Sequence, residues 1–109
     1  MRKVGVGEAP EYVAARHFGC TTLRLQGKEE TGISSFSVAF SHLLPGGGSE
    51  FYGSPREKVY VCIFGEITVR GEDEEIVLRP YESVFIGSGE PRQIKNNTKF
   101  PAGMLVILE

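Results

Sequence analysis

The chain has 109 residues, a hydrophobic fraction of 40% and a formal net charge of −2, values that predict one soluble domain, residues 1–109, with an ordinary core. Its charges are mixed and its apolar runs are short, which argues against a nucleic-acid partner and against a membrane span. No apolar run follows the first positive charges, so a signal peptide is not expected, and two cysteines are too few for a disulfide framework. We therefore expect a cytoplasmic protein.

The N-terminal part of the chain leaves two interpretations open before the first clear strand. Residues 9–18 suit either one short helix, with Pro10 near its first turn, or an extended segment. Residues 20–25 alternate and predict a strand, and residues 27–32 form a polar hairpin loop. Residues 33–44 alternate apolar with small or polar side chains, as a half-buried strand does. A proline and three glycines after residue 44 are predicted to end this strand.

The remaining two thirds of the sequence predict further short strands separated by turns. These are residues 58–64, 67–70, 75–78, 84–86 and 103–108. The last of them has no polar face, which predicts burial on both sides. Short strands at regular spacing indicate an all-β sandwich or barrel.

Two segments share a frame of glycines and turns. Residues 45–65 read PGGGSEFYGSPREKVYVCIFG, and residues 80–96 read PYESVFIGSGEPRQIKN. Aligned on Gly46, Gly65, Gly89 and Asn96, these segments resemble the two conserved motifs of the cupin family. The resemblance implies an all-β double-stranded β-helix, or jelly-roll barrel, with its site inside, and it favours a homodimer.

The same resemblance implies where a cupin holds its metal, with three histidines and one glutamate. In this sequence the four positions carry other residues: Tyr52, Ser54, Lys58 and Arg92. Lysine and arginine are cations without a free lone pair at neutral pH, and a phenol and a hydroxyl are poor substitutes for imidazole. We therefore expect no bound metal and no cofactor.

The period of a strand gives a hypothesis for what replaces the metal. If no bulge intervenes, residues 52, 54, 58, 60, 62 and 64 share one face. Two cations on that face would attract a small anionic molecule, a carboxylate or a phosphate. The predicted ligand-binding residues are Tyr52, Ser54, Lys58, Tyr60 and Arg92. The alternative is that Lys58 and Arg92 lie at the rim, solvated or paired with Glu50, Glu57 or Glu90.

Whether the protein is an enzyme stays open, and so do the catalytic residues. His42, Tyr52 and Lys58 are the candidate proton carriers. His42 would serve as a shuttle only if its face of the strand lines the barrel, and otherwise it is a core histidine. Cys62 is a nucleophile only if Lys58 or Arg92 lowers its pKa, and His17 is interpreted as a surface or dimer-contact residue.

Two other classes of protein remain as alternatives. One is a metal-dependent cupin enzyme (an isomerase, lyase or dioxygenase) with irregular ligands from His42, Glu50 and Glu57. The other is a structural or interaction module whose barrel is filled by side chains.

Overall fold

The named elements of the described residues are all β-strands, as the all-β prediction expects. The computed structural model describes residues 1–27 and 31–109, so the centre of the predicted loop at 27–32 lies outside the described residues. The strands are β1 (Glu11–Tyr12), β2 (His17–Gln26), β3 (Ser37–Ser49), β4 (Lys58–Phe64), β5 (Ile67–Arg70), β6 (Glu75–Leu78), β7 (Ser83–Ile86), β8 (Gln93–Lys95) and β9 (Ala102–Leu108). Among the described residues, no helix is long and apolar enough to cross a membrane.

The strands form one antiparallel sheet that wraps around its own core. Its order is β6-β5-β8-β3-β9-β4-β7, and β2 joins β3 while β1 joins β2. This arrangement is the double-stranded β-helix, or jelly roll, that the sequence predicts. The buried core consists of Leu43, Tyr60, Cys62, Ile67, Val69, Leu78, Ile86, Ile94, Ala102 and Met104.

The glycine run after residue 44 does not end a strand, which corrects the sequence prediction. Strand β3 continues through it to Ser49, and Gly47 and Gly48 are buried. A Cβ on Gly47 would overlap the backbone of Gly19, and one on Gly48 would overlap the backbone of Ile94. These glycines therefore let neighbouring backbones cross closely.

The two ends of the chain also differ from the simplest expectation. The open N-terminal segment is extended, since Tyr12 pairs with Thr22 across the β1–β2 ladder. The C-terminal strand β9 lies between β3 and β4. Its residues 102–104 are buried while residues 105–108 are only half-buried, so the predicted burial on both faces holds for its first half.

The motif frame has a physical basis in backbone geometry. Gly46, Gly65 and Gly89 have φ angles of 82°, 75° and 76°, a left-handed conformation that side chains with a Cβ disfavour. Asn96 is fully buried, and its amide donates to the carbonyl of Leu43 at 3.2 Å and to that of Phe100 at 2.8 Å. The backbone geometry thus requires these glycines and Asn96, whichever side chains stand at the four metal-ligand positions of the family.

One frame position carries a strained residue. Tyr81, where the family motif has glycine, has a φ of 69° and is 82% exposed. We predict that Tyr81→Gly raises the free energy of unfolding by up to about 1 kcal/mol, because the left-handed conformation costs a residue with a Cβ roughly that amount. The control is Tyr81→Ala, which keeps a Cβ and should give no gain in urea denaturation. A Gly variant no more stable than the Ala variant would refute the assignment of strain.

Candidate functional site

One end of the barrel encloses a cavity of about 150 Å³. Its wall combines two cationic side chains, a histidine, three tyrosines, three small hydroxyl side chains and a few apolar residues. The lining residues are Tyr12, Ala14, His17, Thr22, Ser41, Tyr52, Ser54, Lys58, Tyr60, Arg92, Met104, Val106 and Leu108. The five residues predicted from sequence to bind a ligand all belong to this set. The barrel is therefore not completely filled, contrary to the structural-module alternative.

Lys58 projects into this cavity from the middle of the sheet. It is the first residue of β4 and pairs with Ile86 on one side and Leu108 on the other. The side chain is only 5% exposed. Its ammonium nitrogen Nζ is the one buried side-chain polar atom without a hydrogen-bond partner among the described residues. The backbone ladder thus fixes a buried ammonium group that no protein acceptor among the described residues satisfies.

Arg92 is the second cation, and it differs from Lys58 because its guanidinium is held in place. It is 4% exposed, and its Nε donates to the Tyr60 hydroxyl at 2.9 Å. Nη1 donates to the Tyr52 carbonyl at 2.9 Å and Nη2 to the Tyr52 hydroxyl at 3.5 Å. A guanidinium has five N–H donors, so one N–H on each terminal nitrogen remains for a ligand.

Tyr52 and Arg92 position each other. Their backbones form an isolated antiparallel bridge with N–O distances of 3.1 and 3.0 Å. The Arg92 guanidinium carbon lies 4.3 Å from the centre of the Tyr52 ring, and that of Arg16 lies 5.2 Å from it. The Tyr52 hydroxyl donates to the Ala15 carbonyl at 3.3 Å. This ring therefore shields positive charge on the cavity wall by cation–π contact.

Among the described residues that line the cavity there is no aspartate or glutamate, so its two cations are not balanced there. Burial, and then repulsion from Arg92 and Arg56, lower the pKa of Lys58 to about 8. Burial raises the pKa of Tyr60, so it stays a phenol at neutral pH although Arg92 favours its anion. The alternative of solvated rim cations is wrong, since Lys58 and Arg92 are buried.

The N-terminal segment forms a wall of the cavity that the sequence analysis missed. Tyr12, Ala14 and His17 line it because a tight bend, with Arg16 at φ 62°, carries the chain from β1 into β2. His17 donates from Nδ1 to the Ala15 carbonyl at 2.7 Å, which leaves the lone pair of neutral imidazole on Nε2. Burial, and the charges of Arg92 and Lys58, lower the pKa of His17. His17 thus lines the cavity and is also partly exposed, and its role in a dimer contact stays a prediction.

The small inward residues of β3 are the signal that could have located the cavity. Ala39, Ser41 and Leu43 are buried on the inner face of the strand. Ser41 lines the cavity and lies 3.3 Å, oxygen to oxygen, from the Thr22 hydroxyl. Side chains this small leave space inside a barrel that larger ones would fill.

His42, by contrast, belongs to the outer face of β3. Its ring lies 6.1 Å from that of Phe64, and it is not among the residues that line the cavity. Glu50 and Glu57 are exposed, and no group of three or more potential His, Cys, Asp or Glu ligands occurs in the described parts of the chain. The structure therefore does not bring together the irregular ligand set of His42, Glu50 and Glu57.

The inward face predicted for alternate residues of β4 ends at Cys62 and does not include Phe64. Lys58, Tyr60 and Cys62 are buried, but a register shift after Cys62 turns Phe64 outward, where it is 39% exposed. Phe64 then packs over Gly103, where a Cβ would overlap its ring. Cys62 donates its S–H to the carbonyls of Phe64 and Gly65, both at 3.6 Å. Burial, and then the negative charges of Glu82 and Glu66, raise the pKa of Cys62, so the activated nucleophile considered from sequence is not formed.

Comparison with known proteins agrees with this architecture. The cupin domain family matches residues 39–108, so the chain belongs to the cupin family. It is 39% identical over 108 residues to a protein of Mycobacterium tuberculosis named β-D-galactosidase, covering 99% of this chain and 93% of that protein.

Solved structures with much lower identity share the fold. A polyketide cyclase of Streptomyces resistomycificus superposes with a TM-score of 0.87 at 18% identity, covering 99% of this chain and 78% of that one. A sugar phosphate isomerase of the cupin superfamily from Silicibacter pomeroyi has a TM-score of 0.82 at 20% identity, covering 98% of this chain and 74% of that one.

The metal that the cupin family implies does not fit this cavity. Of the four positions, one carries the ammonium of Lys58 and one the guanidinium of Arg92, which repel a divalent cation and offer it no lone pair. Tyr52 and Ser54 supply only a phenol and a hydroxyl. We therefore derive no chemistry here through a metal bound at these positions.

The unpartnered ammonium gives a prediction about stability and pH. Lys58→Met should raise the free energy of unfolding at pH 7 by about 1–4 kcal/mol, because it replaces a buried charge with an apolar side chain of similar volume. The pKa of Lys58 is lowered from 10.5 to about 8 by folding, so the unfolded chain binds the proton more tightly than the folded one. The loss in free energy of unfolding that the buried, charged Lys58 causes in the wild type is therefore complete below pH 8. It disappears as the pH rises to about 10.5.

Chemical denaturation of both proteins from pH 6 to pH 10.5 measures this difference. The advantage of Lys58→Met should shrink across the upper half of that range. Lys99→Met, a change at an exposed lysine, should show no such trend. A difference between Lys58→Met and wild type that does not change with pH would contradict a buried, charged Lys58.

Proposed function

We propose that the protein binds a small anionic organic molecule, a carboxylate or a phosphate ester, in this cavity without a metal. The observation that carries the proposal is the burial of Lys58 and Arg92 together, at 5% and 4% exposure, in a cavity whose lining has no carboxylate. An anion would supply the acceptor that the Lys58 ammonium lacks. It would also accept the two unused N–H groups of Arg92, a geometry that suits carboxylate and phosphate oxygens.

The residues around the two cations define the remaining contacts of such a ligand. Tyr52, Tyr60 and Ser54 offer hydroxyl groups, and the pair Thr22–Ser41 offers two more. Met104, Val106 and Leu108 add apolar surface to the same cavity. They lie on β9, where Leu108 pairs with Lys58 and Val106 with Tyr60. A ligand with an acidic group, several hydroxyls and one apolar face would use all three regions, and sugar acids and sugar phosphates have that composition.

A second candidate is hydrolysis of a galactoside, which the name of the Mycobacterium tuberculosis relative and its 39% identity support. Glycosidases commonly use two carboxyl groups, one as acid and one as nucleophile or base. The cavity has no carboxyl group among its lining residues. Any glycosidase chemistry here would therefore depend on other proton carriers, of which His17 Nε2 and the Tyr52 and Tyr60 hydroxyls are the candidates.

A matched pair of sugars tests anion binding directly. We predict that D-galacturonate binds at least tenfold more tightly than D-galactose in isothermal titration, because the two rings differ only in the carboxylate that Lys58 and Arg92 would bind. Arg92→Gln should weaken galacturonate binding by about 2–5 kcal/mol and leave galactose binding almost unchanged. Galactose 1-phosphate, acetate and inorganic phosphate extend the series to other anions.

The control variant is Arg79→Gln, which removes an exposed arginine paired with Glu66 at 3.5 Å. It should bind galacturonate as the wild type does. If no anion of the series binds or raises the melting temperature of the wild type, anion binding is refuted. Cleavage of p-nitrophenyl β-D-galactoside by wild type, lost in Arg92→Gln and kept in Arg79→Gln, would favour the galactosidase instead.

We also propose that the protein is a homodimer, as many cupins are. Strand β9 gives no support for a dimer, since β3 and β4 flank it within one chain. Support comes from β7, which ends the order of the sheet and carries Phe85 at 58% exposure. Exposed sheet edges with apolar side chains tend to pair with another chain. Light scattering at tens of micromolar should give the mass of two chains, and the mass of one chain would refute the dimer.

A further inference from the structure

The amine of Lys58 is placed for a reaction that anion binding alone does not require. Its Nζ is buried, faces the cavity and has no hydrogen-bond partner among the described residues. Arg92, the neighbouring cation, is held by Tyr52 and Tyr60 and cannot move away without losing those contacts. None of the described residues that line the cavity is a carboxylate that could stabilise an ammonium. A lysine in such surroundings keeps a substantial neutral fraction near pH 8, and a neutral amine is a nucleophile.

We propose that Lys58 forms an imine with the carbonyl carbon of a small anionic aldehyde or ketone, a 2-oxo acid or an open-chain sugar acid. This inference rests on the proposed function, because Arg92 is the group that anchors the carboxylate or phosphate of the same molecule. In this reaction Arg92 holds the acidic group, and the deprotonated fraction of Lys58, not the ammonium that contacts an anion in simple binding, attacks the carbonyl carbon.

The reaction balances without an oxidant or a reductant. The Nζ lone pair attacks the carbonyl carbon, a C–N bond forms and the oxygen takes up a proton to give a carbinolamine. The carbinolamine then loses its hydroxyl, with a proton from nitrogen, as one water molecule, and the C–N bond becomes an imine. Amine and carbonyl compound are thereby converted to imine and water.

Tyr60 is positioned to assist the proton transfers. It lies two residues after Lys58 on the same inward face of β4, and its oxygen accepts from Arg92 Nε at 2.9 Å. Its own O–H remains available, and burial keeps it protonated. Tyr60 can therefore donate to the carbonyl oxygen as the C–N bond forms.

Reductive trapping tests the imine. Wild-type protein is incubated with pyruvate or glyoxylate and sodium cyanoborohydride, which reduces an imine to a stable secondary amine. We expect one carboxyethyl or carboxymethyl group per chain by intact mass, and peptide mapping should place it on Lys58. Lys99, which is exposed, serves as the internal control and should be modified at least tenfold more slowly.

Four variants separate the contributions. Lys58→Met and Lys58→Arg should both lose the modification, the second keeping a cation in case the first changes the fold. Arg92→Gln should slow trapping at Lys58 at least tenfold through loss of the anchor. Lys99→Arg should be trapped on Lys58 at the wild-type rate. Modification spread evenly over the lysines, or kept in the Lys58 variants, would overturn the proposal.

L-Lactate distinguishes failure of the imine from failure of anion binding, because it has the size and charge of pyruvate without the carbonyl. If lactate, pyruvate and galacturonate raise the melting temperature and nothing is trapped on Lys58, the imine is refuted and anion binding stands. If none of these acids stabilises the protein and no adduct forms, both proposals fail. Stabilisation by lactate and pyruvate together with trapping of pyruvate on Lys58 supports both.

Discussion

The feature on which the rest of the site depends is the burial of two like charges, Lys58 and Arg92, without a carboxylate in the cavity they share. Two cations this deep in a protein repel each other and lose their hydration. Arg92 offsets part of that cost with three hydrogen bonds and a cation–π contact. The Lys58 ammonium has no hydrogen-bond partner among the described residues, so the free-energy cost of burying its charge is not offset in this way. That group can lower the cost by losing a proton or by meeting an anion.

The fold tolerates this arrangement because the barrel is divided into two ends. The apolar core packs Leu43, Ile67, Leu78 and Ile94 with almost no exposure, and these residues are absent from the cavity wall. Strand β4 connects the ends, with Cys62 in the core and Lys58 at the cavity. Its ladders to β7 and β9 hold the backbone of Lys58. Burial of the apolar core therefore offsets the free-energy cost of burying the two charges.

Sequence reasoning predicted the fold, and the five residues it proposed for ligand binding lie in the cavity wall, because motif spacing and strand alternation are short-range patterns. Alternation along β4 places Lys58 and Tyr60 on one face, and the glycine frame has a backbone reason at Gly46, Gly65 and Gly89. It did not predict the wall formed by Tyr12 and His17. That wall depends on β1 and β2 crossing the mouth of the barrel, a long-range pairing that local periodicity cannot reveal.

Two further misses have the same physical origin, since each requires knowledge of a neighbouring strand. A register shift opposite β9 turns Phe64 outward, and a bulge of this kind leaves no mark in the alternation of β4 itself. The glycine run of β3 resembles a turn until the backbones of Gly19 and Ile94 are placed beside it. The choice between the two faces of β3, and hence the outer position of His42, likewise depends on which face the other strands cover.

In cupins that bind a metal, the charge at the centre of the barrel is an exchangeable cation held by neutral or anionic side chains. Here two of the four positions, Lys58 and Arg92, carry fixed cations, and the ligand proposed above is an anion, while the frame that holds the positions stays the same. The backbone requirements at the glycines and at Asn96 do not depend on which side chains fill the barrel. A fixed ammonium differs from a metal in one further respect, because it can lose its proton and become a nucleophile. In the imine chemistry proposed above, Lys58 therefore contributes an amine whose pKa is lowered by burial and by Arg92 beside it.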